Sequence, residues 1–106
     1  MKKLPEKEKD IQRAILDHIT RMGGVAIKFN NVGIRKLDGS YIPPRQKGIA
    51  DILACYKGKF IAIEVKSAGK KPTEEQNKFL YEVLEAHGRS CWVDNIDDFL
   101  KFFKTL

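Results

Sequence analysis

Two acidic residues and a lysine stand in a stretch of the chain that has the pattern of a β-hairpin. Residues 48–66 read GIADILACYKGKFIAIEVK, in which two apolar, β-prone runs flank Lys57-Gly58, a dipeptide typical of a tight turn. Counting outward from that turn places Asp51 opposite Glu64, at a Cβ separation of about 5 Å. Because residues two apart share a strand face, Lys66 is predicted to lie beside Glu64. The sequence therefore predicts two carboxylates and one ammonium on one face of one hairpin.

This predicted cluster has a chemical consequence. The run Ile61–Val65 is apolar on both sides of its strand, so Glu64 should be mostly buried. Two like charges that are close and partly desolvated repel each other, and the arrangement costs stability unless a cation neutralises it. A hard divalent metal such as Mg²⁺ takes oxygen ligands. We therefore favour a metal site at Asp51 and Glu64 over a pair of solvating acids, because the flanking run is too apolar for an ordinary solvent face.

A helix and a short strand are predicted before the hairpin. Apolar residues recur at helical spacing at Ile11, Ile15 and Ile19. Proline suits the first turn of a helix, so we expect this helix to begin near Pro5. Paired glycines after the last periodic residue end the helix, and the next five residues are predicted to form a strand.

A second helix, a strand and a third helix are predicted after the hairpin. Thr73 and Gln76 have the spacing of a capping box, which predicts a helix that begins here and ends at Gly88. This cap already gives Gln76 a structural explanation. Residues 90–93 are predicted to form the next strand, and either residue of the pair Asp94-Asn95 caps the third helix.

The order of these elements predicts the fold class. A strand–helix–strand connection of the length found after the hairpin is usually a right-handed parallel crossover. We therefore expect a single α/β domain over residues 1–106, with a mixed four-stranded sheet and helices on both faces.

A long connection, residues 30–47, precedes the hairpin and carries several basic residues. Its turn signals include Asp38-Gly39, which could make a small hairpin of its own. Loops of this length in a small domain are usually functional or disordered. The segment is either a mobile arm that contacts nucleic-acid phosphates or a solvated charged loop, and spacing alone favours neither. The candidate nucleic-acid-binding residues, which include two lysines just after the central hairpin, are Arg35, Lys36, Arg45, Lys47, Lys70 and Lys71.

The composition limits the class of protein. The net charge of +6 and the pI near 9.4 favour polyanionic partners, chiefly nucleic acid. No apolar run is long enough to span a membrane and no signal-peptide pattern is present, so we expect a cytoplasmic protein with no membrane partner. Cys55 and Cys91 lie in apolar runs and are predicted to be buried free thiols. His18 and His87 have no Cys or His at the spacing of zinc ligands.

An Asp before a hairpin turn, followed by Glu-x-Lys on the returning strand, resembles the PD-(D/E)xK nuclease superfamily, and the order of elements resembles its restriction-endonuclease-like core. The likeness is closer to the VRR-NUC family, the virus-type replication-repair nucleases. Ile49-Ala50 stand where the superfamily's name has a proline, a position that varies within it. Four features spread over nearly the whole chain carry the resemblance, namely Gly48-x-x-Asp51, Ile63-Glu64-Val65-Lys66, Pro72-Thr73-x-x-Gln76, and Glu8 followed by Ile11-Gln12.

The resemblance implies metal-dependent hydrolysis of DNA phosphodiesters. Asp51, Glu64 and the backbone carbonyl of Val65 would hold Mg²⁺ or Mn²⁺, and Lys66 would orient the attacking water and offset developing charge. Gln76 and a first-helix acid would be supporting active-site residues. That acid is Glu8 or, since helix starts are the least reliable predictions, Glu6. From spacing alone, Glu8 fits a solvated acid stabilised by the helix dipole.

The family also implies a biological setting. It indicates an endonuclease selective for branched DNA such as Holliday junctions, active in replication or repair, often as a homodimer and without a small-molecule cofactor. The location would be the host cytoplasm if the protein is viral. An alternative is a nucleic-acid-binding module that keeps the nuclease fold but does no chemistry. The acidic pair argues against it, because acids facing a phosphate backbone impair binding unless a metal intervenes. A dimer formed through the phenylalanine-rich last helix is compatible with either function.

Overall fold

The computed structural model describes residues 4–29, 33–43 and 47–106. None of the helices in these ranges is both long enough and apolar enough to cross a membrane. In chain order the elements are α1 (Glu8–Arg21), β1 (Val25–Lys28), β2 (Ile34–Arg35), β3 (Tyr41–Ile42), β4 (Ile52–Tyr56), β5 (Lys59–Val65), α2 (Glu74–Glu85), β6 (Arg89–Val93) and α3 (Ile96–Phe103).

A mixed four-stranded sheet in the order β1-β4-β5-β6 forms the centre of the molecule. The first three strands in this order are antiparallel, and β6 joins β5 in parallel after the α2 crossover, so the predicted topology is confirmed. The predicted register of the central hairpin is also confirmed, with Tyr56 opposite Lys59 and Ile52 opposite Ile63. Lys57 and Gly58 both have positive φ, as a two-residue hairpin turn matched to strand twist requires.

The two faces of the sheet pack against different helices. One core lies between the sheet and helices α1 and α3, and β5 contributes Ile61, Ile63 and Val65 to it. The other core lies under α2, where Ala62 of β5 contacts Leu80 and Val83. Because side chains alternate along a strand, Glu64 must point to the α2 face with Ala62.

The three helices of the described residues all start at the same end of the sheet. Strands β1, β5 and β6 end there, and β4 begins there, because β4 is antiparallel to its two neighbours. Helices α2 and α3 begin after β5 and β6, while α1 runs back from this end before its Gly23-Gly24 turn into β1. Glu6 Oε1 accepts a hydrogen bond from the Ile96 backbone N–H at 3.3 Å, which joins the starts of α1 and α3. We call this end of the sheet the site end.

The connection from β1 to β4 contains a small hairpin. Strands β2 and β3 pair through Ile34–Ile42 and Arg35–Tyr41, and Asp38 accepts hydrogen bonds from Ser40 across the turn. The hairpin predicted at Asp38-Gly39 is therefore confirmed. Within the described ranges, no other helix or strand packs against it.

Two predictions differ from the structure, and a third feature bears on the proposed dimer. Helix α1 begins at Glu8 rather than near Pro5. Both cysteines are free thiols as predicted, but Cys55 is exposed, because α2 covers β5 and β6 and leaves the same face of β4 open. Cys91 packs against the core under α1 and α3 and is half-buried. Phe99 and Phe103 of α3 are core residues, so the phenylalanines of the last helix are largely committed to the chain's own interior.

Candidate active site

Asp51 is held by both strands that flank β4. Its backbone carbonyl accepts a hydrogen bond from the Phe29 N–H at 2.7 Å, just beyond the end of β1. Its carboxylate Oδ2 accepts a hydrogen bond from the Val65 N–H of β5 at 3.0 Å. The backbone and the side chain of Asp51 are thus fixed from opposite sides at the site end.

Glu64 lies opposite Asp51, where the register of the central hairpin continues by one residue. The residue is only 2% exposed. Its Oε1 accepts a hydrogen bond from Gln76 Nε2 at 3.1 Å and lies 4.0 Å from Lys66 Nζ. The other oxygen, Oε2, is buried and has no hydrogen-bond partner in the part of the chain that the structure describes.

The surroundings of Glu64 disfavour its charged form. Burial raises the pKa of its carboxyl group from 4.5 to about 8, and the negative charge of Asp51 adds to this effect. The Lys66 ammonium acts in the opposite direction. Without a cation, the coupled pair of Asp51 and Glu64 therefore releases its last proton at a higher pH than an ordinary glutamate would.

Lys66 follows β5 directly and lies on the same face as Glu64. Its backbone N–H donates to the Val93 carbonyl at 2.9 Å, which continues the pairing with β6 beyond the strand end. Its side chain is 17% exposed, so the ammonium stands between the buried carboxylate and solvent. It can therefore contact a group that approaches Glu64 from outside.

The first turn of α2 brings Gln76 to Glu64. Thr73 Oγ1 accepts from the Gln76 N–H at 3.2 Å, and Gln76 Oε1 accepts from the Thr73 N–H at 2.8 Å, so the predicted capping box is confirmed. The cap occupies the amide oxygen of Gln76 and leaves its Nε2 to donate to Glu64. One side chain thus stabilises the helix start and orients the buried acid.

Gly48 explains the close approach of the β4 entry to α2. Its φ is +82°, a conformation that side chains rarely adopt. A Cβ atom here would lie 2.9 Å from the Gln76 nitrogen and still closer to the Glu75 carbonyl. The spacing Gly48-x-x-Asp51 therefore lets the segment before Asp51 pack on the helix turn that presents Gln76.

The oxygen atoms at this site fit a hard divalent cation. Val65 donates its N–H to Asp51, and since the N–H and C=O of a strand residue point to the same side, its carbonyl also faces Asp51 beyond the start of β4. No group of three or more His, Cys, Asp or Glu side chains that could hold a metal occurs among the described residues. Two carboxylates with carbonyl, water and phosphate oxygens are the ligand set that Mg²⁺ commonly takes. A cation would also satisfy the unpartnered Glu64 Oε2.

The first-helix acids stand at or just before the start of α1. Glu8 is the first residue of α1, which packs on the opposite face of the sheet from α2. Across the described ranges, no hydrogen bond or ion pair joins Glu8 to Asp51, Glu64, Lys66 or Gln76. Glu6 is engaged with the start of α3. Contacts among the described residues therefore join four of the five predicted catalytic side chains, and Glu8 stays a predicted supporting residue.

The predicted nucleic-acid-binding residues are exposed wherever the structure describes them. Arg35 and Lys36 lie in or next to the β2–β3 hairpin, and the Arg35 guanidinium stands 5.9 Å from the centre of the Tyr41 ring. Lys47, Lys70 and Lys71 belong to the segments that enter β4 and leave β5 at the site end. Arg45 lies outside the described residues.

A second basic group was missed by reading the sequence. Lys9 and Arg13 of α1 and Lys28 of β1 line a groove around the buried Gln12. The three cations come from two elements, and only their packing places them together. Phe29, the residue after β1, donates its backbone N–H to the Asp51 carbonyl. The groove that contains Lys28 therefore adjoins the site end.

Comparison with known proteins agrees with this geometry, although no protein-family model matches the sequence. Over 71 residues the chain is 30% identical to "Putative nuclease p44" of Acyrthosiphon pisum secondary endosymbiont phage 1. That match covers 66% of this chain and 63% of the phage protein, so it spans less than two thirds of the relative's length. A solved VRR_NUC domain is 18% identical, with a TM-score of 0.68 over 92% of this chain and 94% of that one. This chain has the VRR-NUC fold.

The fold-level resemblance predicted from the sequence is thereby confirmed, and the phage relative supports assignment to the same family. The restriction-endonuclease-like arrangement, a four-stranded mixed sheet with three helices, is also as predicted. In this VRR-NUC fold, the Asp51–Glu64 pair lies where β4 begins and β5 ends, at the edge where all three helices start.

Proposed function

We propose that this VRR-NUC chain is a metal-dependent DNA nuclease that hydrolyses phosphodiester bonds at Asp51 and Glu64. The observation that carries the proposal is a buried carboxylate oxygen of Glu64 that lacks a hydrogen-bond partner among the described residues and faces a second acid. An arrangement that raises the free energy of the resting protein is expected where a cation completes the site. The nuclease name of the phage relative agrees with this function.

Each residue of the cluster has a proposed role. Asp51, Glu64 and the carbonyl of Val65 would hold Mg²⁺ or Mn²⁺. Such an ion, when bound, lowers the pKa of water and polarises the phosphate. Lys66 places a positive charge where a phosphate oxygen would gain negative charge, and orients the water that attacks. Gln76 holds Glu64 in position through its Nε2.

The electrostatics of the site end suit a DNA backbone. Three helix N-termini lie at this end, and each carries a partial positive charge that attracts phosphate. The exposed Lys47, Lys70 and Lys71 lie on segments at the site end, and Arg35 and Lys36 extend the proposed contact surface. Arg45, outside the described residues, stays a proposed DNA-binding residue. We further propose that the substrate is branched DNA, that the protein acts in replication or repair in the cytoplasm, and that it works as a homodimer. A single sedimenting species of 12.1 kDa at high concentration would contradict the homodimer.

A cleavage panel tests the proposed function. Linear duplex, flap, splayed-arm and four-way-junction DNA are incubated with Mg²⁺, Mn²⁺ or EDTA. We expect cleavage with either metal and none with EDTA. Asp51→Asn, Glu64→Gln and Lys66→Met should each lower the rate at least ~100-fold. The control is Glu85→Gln, an exposed acid at the far end of α2, which should cleave like the parent chain.

The panel also separates the alternatives. A non-catalytic binding module would leave every DNA uncut at any metal concentration while still binding it. Cleavage that persists in EDTA or in Asp51→Asn would contradict the metal site itself. Glu8→Gln belongs in the same series, because Glu8 remains a predicted supporting residue that has no contact with the cluster.

A further inference from the structure

Trp92 lies beside Glu64 in the sheet. The parallel register of β5 and β6 pairs these two residues, and neighbouring strands are about 4.8 Å apart. Ser90, two residues earlier in β6, donates its Oγ to the Leu80 carbonyl of α2 at 2.7 Å. Since side chains alternate along a strand, the indole of Trp92 projects on the same face as Ser90 and Glu64. The row across the site end therefore reads Asp51, Glu64, Trp92.

The indole of Trp92 is neither fully buried nor hydrogen-bonded within the described residues. The side chain is 38% exposed, on a strand that forms the edge of the sheet. In the described part of the chain, it makes no hydrogen bond, no ring contact and no cation–π contact. A tryptophan retained for stability normally buries its ring and pairs its N–H. Trp92 instead offers an aromatic surface and a free donor one strand away from the acidic pair.

We propose that Trp92 is a platform on which a nucleobase next to the scissile phosphate stacks. This inference rests on the proposed nuclease function. A phosphate over Asp51 and Glu64 is joined to its base by one sugar, so the base can reach the neighbouring strand. Aromatic side chains bind bases of any sequence, because every base has a π face.

The platform determines which DNA can bind productively. In a continuous duplex, both faces of each base are covered by its neighbours and its edge is paired. A side chain fixed in a sheet cannot reach such a face unless the base leaves the stack, which costs free energy. An unpaired nucleotide exposes its face without that cost. The substrate class that Trp92 favours is therefore DNA with an unpaired nucleotide at the cut, as in flaps, splayed arms and open branch points.

Fluorescence tests this directly, because Trp92 is the single tryptophan of the chain. Its emission is recorded while DNA is added in Ca²⁺ or EDTA, and binding is followed in parallel by the anisotropy of labelled DNA. Single-stranded oligonucleotides should change the emission in step with binding. Duplex of the same sequence should bind with little change in emission. An oligonucleotide of abasic sugars keeps the phosphates and should also leave the emission unchanged.

Variants of Trp92 measure how much the indole contributes to DNA affinity. Trp92→Leu should weaken binding of single-stranded DNA about 5- to 100-fold, and binding of duplex less than about 2-fold. Trp92→Phe should retain most of the affinity because a ring remains. Tyr81→Leu is the control, since Tyr81 is an exposed aromatic residue of α2 away from the acidic pair, and it should change neither affinity. Circular dichroism establishes that each variant is folded, and the fluorescence of the parent chain decides the question if Trp92→Leu does not fold.

The outcomes separate this inference from the proposed function. Binding in Ca²⁺ or EDTA requires no cleavage, so an uncut DNA panel overturns the nuclease proposal while the stacking test still gives an answer. Emission that stays constant at saturating single-stranded DNA overturns the platform. Equal losses on single-stranded, abasic and duplex DNA overturn it as well. A change in sedimentation in Trp92→Leu, without a change in DNA affinity, would identify Trp92 as a protein contact and also overturn the platform.

Discussion

Glu64 is the residue at which the chain departs most from an ordinary buried side chain. Buried polar atoms are nearly always hydrogen-bonded, and a buried carboxylate is normally fully paired. Glu64 instead accepts one hydrogen bond from Gln76 and lies 4.0 Å from the Lys66 ammonium. The nearby carboxylate of Asp51 repels its charged form. Packing alone gives no reason to retain such a residue, whereas a bound cation does.

The raised pKa of Glu64 predicts how the metal-free protein responds to pH. Its pKa rises from 4.5 to about 8 on folding, so between these values the folded state holds a proton that the unfolded state has released. The free energy of unfolding should therefore fall as the pH rises from about 5 to about 8. In Glu64→Gln the side chain is neutral at every pH, and this contribution disappears.

Thermal unfolding in EDTA at pH 5 and pH 8 measures the effect. We expect the melting temperature of the parent chain to fall by at least about 5 °C more than that of Glu64→Gln. Glu85→Gln should follow the parent chain. Mg²⁺ or Mn²⁺ should restore stability at pH 8 to the parent chain and to Glu85→Gln, but not to Glu64→Gln. Identical pH dependence in the parent chain and Glu64→Gln would show that Glu64 titrates normally.

The sequence predicted the acidic pair because a two-residue turn fixes the register of both strands. Once Lys57-Gly58 is the turn, counting residues places Asp51 opposite Glu64 without tertiary information. The position of Glu8 relative to this pair could not be obtained by counting, because the side of the sheet on which a helix packs depends on tertiary structure. The position of Trp92 beside Glu64 could not be counted from the turn either, because it depends on the parallel pairing of β5 and β6.

At the scale of elements, the start of α2 links fold and site. The capping box fixes the helix start, Gln76 extends it to Glu64, and Gly48 lets the entry of β4 pack against it. A shift of this turn would move Gln76 relative to the acid pair without removing any residue of the site. The local signals, a capping box and a tight turn, were readable from the sequence. The exposure of Cys55 was not, because it depends on how far α2 extends over the sheet.

Replacement of Gly48 by alanine tests this link. Gly48 and Gly69 have nearly equal φ angles, +82° and +83°, but a Cβ at Gly69 would meet open space. Both substitutions incur the cost of positive φ, about 1 kcal/mol, and only Gly48→Ala adds a collision with the α2 backbone. We expect Gly48→Ala to lower the free energy of unfolding by about 2–4 kcal/mol, clearly more than Gly69→Ala. Urea denaturation measures both, and equal losses would mean that the close packing at Gly48 contributes nothing.

At the scale of the whole molecule, part of the positive charge behind the net +6 lies on segments at the site end. The segments that carry Lys47, Lys70 and Lys71 enter or leave strands at the site end, whereas Lys57 lies in the hairpin turn at the opposite end. Composition predicted a polyanionic partner, and the topology adds where its phosphates would bind. Homodimer formation stays a prediction. The phenylalanines that motivated an interface on α3 are mostly core residues, so that helix offers less apolar surface to a partner than its sequence suggested.

Salt dependence tests this charge distribution. The slope of log affinity against log salt counts the phosphates that a protein contacts. We expect Lys70→Gln and Lys71→Gln each to reduce the slope for DNA by about 1, and Lys57→Gln to leave it unchanged. Anisotropy titrations at several salt concentrations in Ca²⁺ provide the measurement. An effect of Lys57→Gln equal to that of Lys70→Gln would indicate that DNA binding is not confined to the site end.

The proposed function depends on one divalent cation shared by Asp51 and Glu64. The most direct test is a titration of the protein with Mn²⁺ at pH 8, with free Mn²⁺ measured by electron paramagnetic resonance. We expect one bound Mn²⁺ per chain for the parent protein and for Glu85→Gln, and at least ~10-fold weaker binding in Asp51→Asn and Glu64→Gln. Binding of the same strength in Glu64→Gln, or none in the parent protein, would rule out a shared cation.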